Sequence, residues 1–543
     1  MGVPGFFSWI LHHCNLDRTV EVFNTSKNHV SELFLDSNSI IYNVANQVSN
    51  EQSLDKIEKE IITKTIEHID ELIKFINPTD LVYVSIDGVA PCAKIMQQRN
   101  RRYLANYQEE KINLLRTKYH LIHPKWTALN ITPGTIFMDK LHQELLKYCD
   151  VFNKTNKCKM IYSSANDYGE GEHKIMDYIN SHMISPDKTR YIYGLDADLI
   201  FLSMIPEIDN LLLIRENITP STKEYVYQTV HINRLKNNIY EICKRHDPEL
   251  KFTQNLINDI IFICFFFGND FIPDAQIINI RDDIDTLIQK YIYVKKDFGG
   301  VYLTNLDSIN ITFFIEYLHL LSEHEMLLYQ TFEYQKRLIR FNLHNKRIRE
   351  IKTEGFDRDK FNLENPSYDY LHFADKFSDH KHDTYQYYLH TDKEQQKIID
   401  NVCKMYLDGM MWIFDYYFQG IPKLTQLWSY QYPFSPFLSD LYKYVTEHKY
   451  NLNVFQEEND TYLDVIHPEI QITPKQQLIC VIPYRQLNII DSELFKKVRD
   501  LKQYKFISPV DYNVFSYLCL QFYKCKAAIP YIDFERILDL DCK

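Results

Sequence analysis

Between about residues 30 and 290, short runs of β-branched and aromatic residues that close on an aspartate alternate with longer stretches in which apolar residues recur every three to four positions. LFLD at 33–36, LVYVSID at 81–87 and YIYGLDAD at 191–198 read as strands, and the stretch from Ile57 to Ile76 reads as an amphipathic helix. The intervals between the strands are long enough for crossover helices. The pattern therefore predicts an α/β fold with a mostly parallel central sheet flanked by helices. In such sheets ligands sit beyond the carboxyl ends of the strands, and each of the three runs ends on an aspartate.

Past about residue 300 the pattern changes. The stretch from Tyr334 to Asp383 is rich in Lys, Arg, Asp, His and Asn and lacks a sustained apolar stripe, so it reads as a charged, partly irregular connector. Ile398 to Phe418 is strongly amphipathic and predicts a long buried helix. The prolines of LWSYQYPFSPF at 427–437 keep that stretch from being helical throughout. The expected organisation is a core over 1–300, a connector over 301–385 and a largely helical further region over 386–543, with no internal repeat.

Composition narrows the class. Of 543 residues 45% are hydrophobic, 14% aromatic and 25% charged, a globular balance. The 61 Lys and Arg against 73 Asp and Glu leave a net charge of −12, which argues against a non-specific nucleic-acid binder, since phosphate affinity is carried by cations. The 11 cysteines contain no CxxC pair, so neither a zinc knuckle nor a disulfide framework is indicated, and a reducing, cytoplasmic setting is expected. The start MGVPGFFSWI lacks a cationic n-region, and the apolar run Ile260 to Phe267 falls far short of the roughly 20 residues that span a bilayer. A soluble protein with no membrane partner is expected. Scarce Gly (13) beside abundant Tyr (40) and Phe (33) is compatible with a viral or AT-rich-genome source.

Seven carboxylates carry the candidate chemistry: Asp36, Asp87, Glu170, Glu172, Asp196, Asp198 and Asp270. Asp36, Asp87 and Asp196 each follow an apolar or β-branched run, which places a carboxylate where a strand meets solvent. Glu170 and Glu172 lie in YGEGEHKIMDYI, whose glycines allow a tight turn before a helix begins. Asp270 ends FICFFFGND, where an unpaired charge is costly to bury. Crowded carboxylates repel one another; divalent cations resolve that repulsion, and hard oxygen ligands select Mg²⁺ or Mn²⁺. Two ions about 3.5–4 Å apart serve the in-line displacements of nucleases and phosphatases. A single aspartate after a strand is more often a turn or cap residue, and Glu170 and Glu172 also suit a first helical turn. Seven acids together, three of them at strand ends, favour a metal site.

A basic segment follows Asp87. Residues 94–118 hold seven Lys or Arg against two Glu, and Lys94, Gln98, Arg101 and Arg102 share one helical face by their spacing. Such a face can hold a terminal phosphate, with Arg giving forked hydrogen bonds. A charge run alone is most often a solvated face. Its closeness to Asp87 favours the phosphate.

Taken in order, MGVPGFFSWI, LFLDSNSIIYN, SIDGVAPCAKIMQQRNRRY, ITPGTIFM, GEGEHKIMDYI, YIYGLDADLIFL and FFFGNDFIP closely resemble the first conserved region of the XRN family of 5′-to-3′ exoribonucleases. YLDGMMWIFDYYFQGIP and WSYQYPFSPFLSDL resemble its second conserved region, and ITPKQQLICVIP does so more loosely. The resemblance implies a PIN/flap-nuclease-like core and a processive, metal-dependent enzyme that removes 5′-mononucleotides from single-stranded RNA bearing a 5′-monophosphate. It also implies a link to a decapping enzyme that would make such ends. By the resemblance the seven carboxylates are the metal ligands, and Lys94, Gln98, Arg101 and Arg102 form the 5′-phosphate pocket. Trp428 is implied to stack on the bases near the 5′ end, with Tyr42 in the position where the family has a His. Cys92 stands where the family has a basic residue. Cellular members continue into further C-terminal domains, so a minimal nuclease core is expected.

Two other readings compete. Flap-type structure-specific nucleases share the acidic α/β core, but they follow it with a Gly-rich helical hairpin, and FIPDAQIINIRDDIDTLIQ after Asp270 contains no glycine. An inactive RNA-binding homologue is disfavoured by the intact set of seven acids.

Overall fold

The computed structural model describes residues 3, 5–13, 19–24, 28–49, 52–182, 185–194, 196–218, 225–305, 307–350, 355–366, 376–389, 395–420, 427–453, 472–490, 493–494, 496 and 507–540. Met1, Gly2 and Pro4 of the opening motif, and Cys14 and Cys542 at the ends of the cysteine series, lie outside them.

Seven strands form the central sheet: β1 (Val20–Val22), β2 (Glu32–Asp36), β3 (Leu81–Ser85), β4 (Lys159–Ser163), β5 (Arg190–Tyr193), β6 (Leu211–Ile218) and β7 (Tyr225–His231), in the order β1-β7-β6-β5-β2-β3-β4. The five strands from β6 to β4 run parallel. β7 pairs antiparallel with β6 and β1 with β7, closing one edge. The three strands expected from the apolar runs are β2, β3 and β5, at the centre. After building outward from β2 through β3 to β4, the chain returns to lay β5 on the other side of β2. This reversal opens a crevice at the carboxyl ends of β2 and β5, where Asp36 and Asp196 leave the sheet.

Period-two alternation divides the sheet between two cores. Leu33, Leu35, Val82, Val84, Tyr191, Tyr193, Leu212 and Ile214 face one way, onto the helices Leu54–Ile76 and Ile136–Thr155. Phe34, Tyr83, Ile192 and Leu213 face the other, into a larger core shared with the helices Gln254–Cys264, Ile280–Asp297 and Gln395–Phe418. The helical half of the chain is thus continuous with one face of the sheet. Its longest helix, Ile311–Glu350, runs through the beginning of what the sequence reading takes for an irregular connector. That stretch carries Tyr334, Leu338, Phe341 and Ile348 at helical spacing but leaves them exposed, so no buried stripe announces the helix.

The C-terminal part closes on the helix Cys92–Lys118. Thr473 and Gln476 form a reciprocal capping box at the start of Pro474–Val481, and Leu478 to Ile482 pack with Val89, Ala90, Cys92 and Ile95. Among the described residues, no helix is long and apolar enough to cross a membrane.

Candidate active site

Four elements deliver acids to the crevice because each ends or begins there. Asp36 is the last residue of β2, and Asp87 follows β3 by two. Glu170 caps the helix Gly171–Ser181 and Asp196 caps Ala197–Met204, so both helix N-termini aim their positive ends at the site. Glu172 and Asp198 follow in the first turns. Asp270 comes from the loop after the buried run Phe265–Phe267.

The closest grouping is Asp36, Asp87 and Glu172, whose ligand oxygens all lie within 4.8 Å of one another. Gly171 permits it: a Cβ there would stand 2.6 Å from Asp36 Oδ1 and 3.2 Å from Asp87 Oδ1. Its backbone N–H instead donates to Asp87 Oδ1 at 2.7 Å, while Asn38 donates from Nδ2 to Asp87 Oδ2 at 2.5 Å. Glu170 and Asp270 meet through Lys94, whose Nζ lies 2.5 Å from Glu170 Oε1 and 2.6 Å from Asp270 Oδ2. Tyr416 and Tyr417, at the end of Gln395–Phe418, donate hydroxyls to Glu170 Oε2 (2.7 Å) and to Asp198 Oδ1. The helical half therefore orients ligands that the sheet supplies.

The charges are strained against one another. Burial, then Asp87, Asp196 and Glu170, push Asp36 well above the usual carboxylate range. Burial raises Glu172 strongly, with Glu170 and Asp36 adding to it, and burial raises Glu170 although Lys94 opposes. Asp198 is pushed up to about 6 by burial, with Asp270 contributing. Asp270 goes the other way: burial would raise it, but the Lys94 ammonium prevails and holds it low. His173, buried with its ring 3.8 Å from that of Tyr416, is brought down to about 3 by burial and by Lys94, and so packs as a neutral side chain.

This donor set fits a divalent cation. All its ligands are hard oxygens, and Asp36 Oδ1 is buried without a hydrogen-bond partner among the described residues, a state that an unligated protein stabilises poorly. Because Asp36, Glu170, Glu172 and Asp198 have folded pKa values above their unfolded ones, the folded chain binds more protons across that interval. Its stability therefore falls as pH rises through it. Mg²⁺ favours the ionised set, so the rise in melting temperature on adding Mg²⁺ should be larger at about pH 7.5 than at about pH 5.5. Equal shifts at both pH values would contradict the assignment.

Lys94, Gln98, Arg101 and Arg102 lie on one face of Cys92–Lys118, but they part company. Lys94 is buried within the acid cluster, Gln98 accepts from Gln477 Nε2 at 3.3 Å, Arg102 is half-buried and Arg101 is exposed. Tyr42, 38% exposed, stands beside Arg102. Trp428 is half-buried with one face on Trp412 at 5.4 Å. Gly409 makes room for it, since a Cβ there would come within 2.8 Å of the indole. Asn38, Tyr416 and Tyr417 are the site residues that the sequence reading does not identify. The only local signal is Asn38 two residues after a strand-end aspartate.

Comparison with known proteins follows the same outline. Residues 1–217 match the family model described as the XRN 5′-3′ exonuclease N-terminus, and residues 251–368 and 353–457 match the Xrn1 helical domain. The chain is similar to 5′-3′ exoribonuclease 1 of Homo sapiens, 26% identical over 602 residues that cover 99% of this chain and 34% of the relative. It is similar to 5′-3′ exoribonuclease 1 of Saccharomyces cerevisiae at 24% identity, covering 90% of this chain and 40% of the relative. To 5′-3′ exoribonuclease 2 of Schizosaccharomyces pombe it is 31% identical, covering 51% and 33%. The chain thus spans two fifths or less of the length of these relatives. Among solved structures, the catalytic core of Rad2 in complex with DNA substrate is similar at a TM-score of 0.32 and 10% identity, covering 61% of this chain and 85% of that one.

Proposed function

Because this chain belongs to the XRN family of 5′-3′ exonucleases, whose two models together span most of it, we propose that it processively degrades single-stranded RNA from a 5′-monophosphate end, releasing 5′-mononucleotides. The observation that carries this reading is that one helix serves both tasks. Cys92–Lys118 inserts Lys94 among the carboxylates and presents Arg101 and Arg102 two turns further on, about 10 Å along the axis. A strand held by its terminal phosphate at Arg101 and Arg102 is thereby set at a fixed distance from the acids. That geometry favours removal of a short unit from the end.

In this reading the seven carboxylates would hold two divalent cations, with Asp36, Asp87 and Glu172 grouped closely enough to share one of them and Mg²⁺ the expected ion. Such ions, when bound, neutralise crowded carboxylates, activate water and stabilise a departing oxygen. The chain's own groups do the positioning. Lys94 offers an ammonium to the phosphate nearest Glu170 and Asp270. Tyr416 holds Glu170 through Oε2 while Lys94 meets its Oε1, and Tyr417 holds Asp198 through Oδ1, so both carboxylates keep their places in the crevice. Trp428, backed by Trp412, and Tyr42 offer aromatic faces to the leading bases; stacking of this kind contributes roughly 1–3 kcal/mol per base. The reaction takes place in the cytoplasm, supplied with 5′-monophosphate ends by a decapping enzyme.

The phosphate assignment is tested by replacing Arg101 and Arg102 together with alanine. The double variant should lose the preference for 5′-phosphorylated over 5′-hydroxyl RNA, by about 10²-fold if two charge-assisted contacts are removed. An unchanged preference would place the pocket elsewhere.

A further inference from the structure

The second half of the longest helix, Ile311–Glu350, carries apolar residues on two opposite faces. One face is used within the molecule: Leu328 is buried, and Phe332, Ile339 and Leu343 pack around Leu520. On the other, Leu327, Tyr334, Leu338, Phe341 and Ile348 are 40–63% exposed. At 3.6 residues per turn these five fall within an arc of about 80° and form a stripe about 32 Å long, turned away from Leu520. Leu327, Tyr334, Phe341 and Ile348 stand seven residues apart, and Leu338 follows Tyr334 by four. That is the d and a spacing of a coiled-coil seam, and a long exposed apolar stripe marks an interaction surface.

Charge says what kind of surface it is. Residues 334–349 hold six Lys or Arg and no Asp or Glu, in a chain whose net charge is −12. By their spacing Arg337 and Arg349 border the stripe on its two sides, with Arg340 and Lys346 further out. A second copy of this helix complements it poorly. Antiparallel, with Tyr334 matched to Phe341, the two Arg337 side chains would meet; in parallel, His344 would face Arg349. A single strand of nucleic acid suits the cations but not the stripe, since Leu327, Leu338 and Ile348 have no ring on which a base could stack.

We infer that the outward face of residues 327–348 is a docking surface for an acidic amphipathic helix of another protein, whose apolar seam packs on the stripe while its Asp or Glu residues lie opposite Arg337, Arg340, Lys346 and Arg349. The surface stands apart from the acid crevice. Arg347 lies over the Phe361 ring at 5.8 Å, and Asp359 on the same short helix, Phe356–Glu364, meets Lys118 Nζ at 2.8 Å. Lys118 ends Cys92–Lys118 about 36 Å along the axis from Lys94. A partner docked on the stripe therefore leaves the crevice open.

The test measures binding of the protein to a labelled four-heptad helical peptide with Leu at a and d and Glu at e and g, and to the same peptide with Lys in place of Glu. Wild type should bind the Glu peptide at least tenfold more tightly than the Lys peptide. Phe341→Asp, which alters the stripe without touching the packed face, should weaken binding of the Glu peptide by about tenfold or more, the scale of an interface anchor, while the melting temperature stays that of wild type. Arg337→Glu together with Arg349→Glu should reverse the preference between the two peptides, a readout that loss of folding cannot mimic. No binding of the Glu peptide, no preference for it, or an affinity unchanged in Phe341→Asp overturns the inference. So does a wild-type dimer in sedimentation that Phe341→Asp makes monomeric, which would assign the stripe to a second copy. Displacement of the Glu peptide by 5′-hydroxyl single-stranded RNA in EDTA would assign it to nucleic acid instead.

Discussion

Replacing Asp36 or Asp198 with alanine is expected to lower RNA hydrolysis by roughly 10²–10³-fold or more, the scale on which single preorganised electrostatic contacts act in catalysis, while 5′-phosphorylated RNA still binds. Binding should persist because Arg101, Arg102 and the aromatic faces are separate from the acids. The same Asp36 substitution should raise the melting temperature in EDTA. Asp36 is a buried carboxyl crowded by Asp87, Asp196 and Glu170, and its Oδ1 has no hydrogen-bond partner among the described residues, so removing it relieves repulsion and desolvation together. Opposite changes in activity and stability are what distinguish a ligand from a scaffold residue. Full activity in either variant, or a melting temperature in EDTA lowered by Asp36→Ala, would contradict the metal assignment.

The second large effect concerns folding. Arg99 is fully buried, yet its guanidinium reaches no carboxylate among the described residues; it donates to the backbone carbonyls of Cys480 (2.7 Å), Ile507 and Pro530 and lies against the Tyr103 ring at 4.6 Å. It therefore joins Cys92–Lys118 to three separate stretches of the C-terminal part. Arg99→Ala leaves those carbonyls unpaired and opens a cavity, and the variant should be destabilised by about 3–5 kcal/mol in denaturant unfolding. Loss of the desolvated cation offsets only part of this. Because that part of the chain also holds Gln477 against Gln98, weaker binding of the 5′ end should accompany the loss. A change in stability below about 1 kcal/mol would show that the contacts are incidental.

How far the site could be read from the sequence depended on whether a residue's role was local. Asp36, Asp87 and Asp196 announce themselves as a set, because three separate apolar runs each close on a carboxylate, and the structure places all three at one end of the parallel sheet. Glu170 and Glu172 are legible for a related reason: the Gly between them has no room for a side chain beside Asp36. Spacing alone sorts the basic helix less well. Lys94 falls on the face with Arg101 and Arg102, and nothing local says that it would be enclosed by Glu170 and Asp270. Arg99 counts as one more cation in the run, although five residues after Lys94 it sits well off that face, a phase difference that marks it for another role. Tyr416 and Tyr417 were illegible, since each acts through a hydroxyl on an acid more than two hundred residues earlier in the chain. The second half of the helix Ile311–Glu350, beyond Tyr334, was hidden by its exposed apolar residues, because amphipathicity signals a helix only where one face is buried.

The net charge of −12 is compatible with the proposed RNA substrate because of where the charges lie. Seven of the acids are drawn to one crevice, and Arg101 and Arg102 follow two turns along the helix that inserts Lys94 among them. Overall charge steers long duplexes, whereas a strand held by its end needs only a local pocket.

The most direct test follows the products of RNA labelled at its 3′ end and carrying a 5′-monophosphate, a 5′-hydroxyl or a 5′-triphosphate, incubated with the protein in Mg²⁺ or in EDTA. The account predicts loss of the monophosphorylated strand in Mg²⁺ with 5′-mononucleotides as the released product, little loss of the other two strands, and none in EDTA. Shortened labelled fragments from internal cuts, degradation indifferent to the 5′ end, or activity that survives EDTA would contradict it.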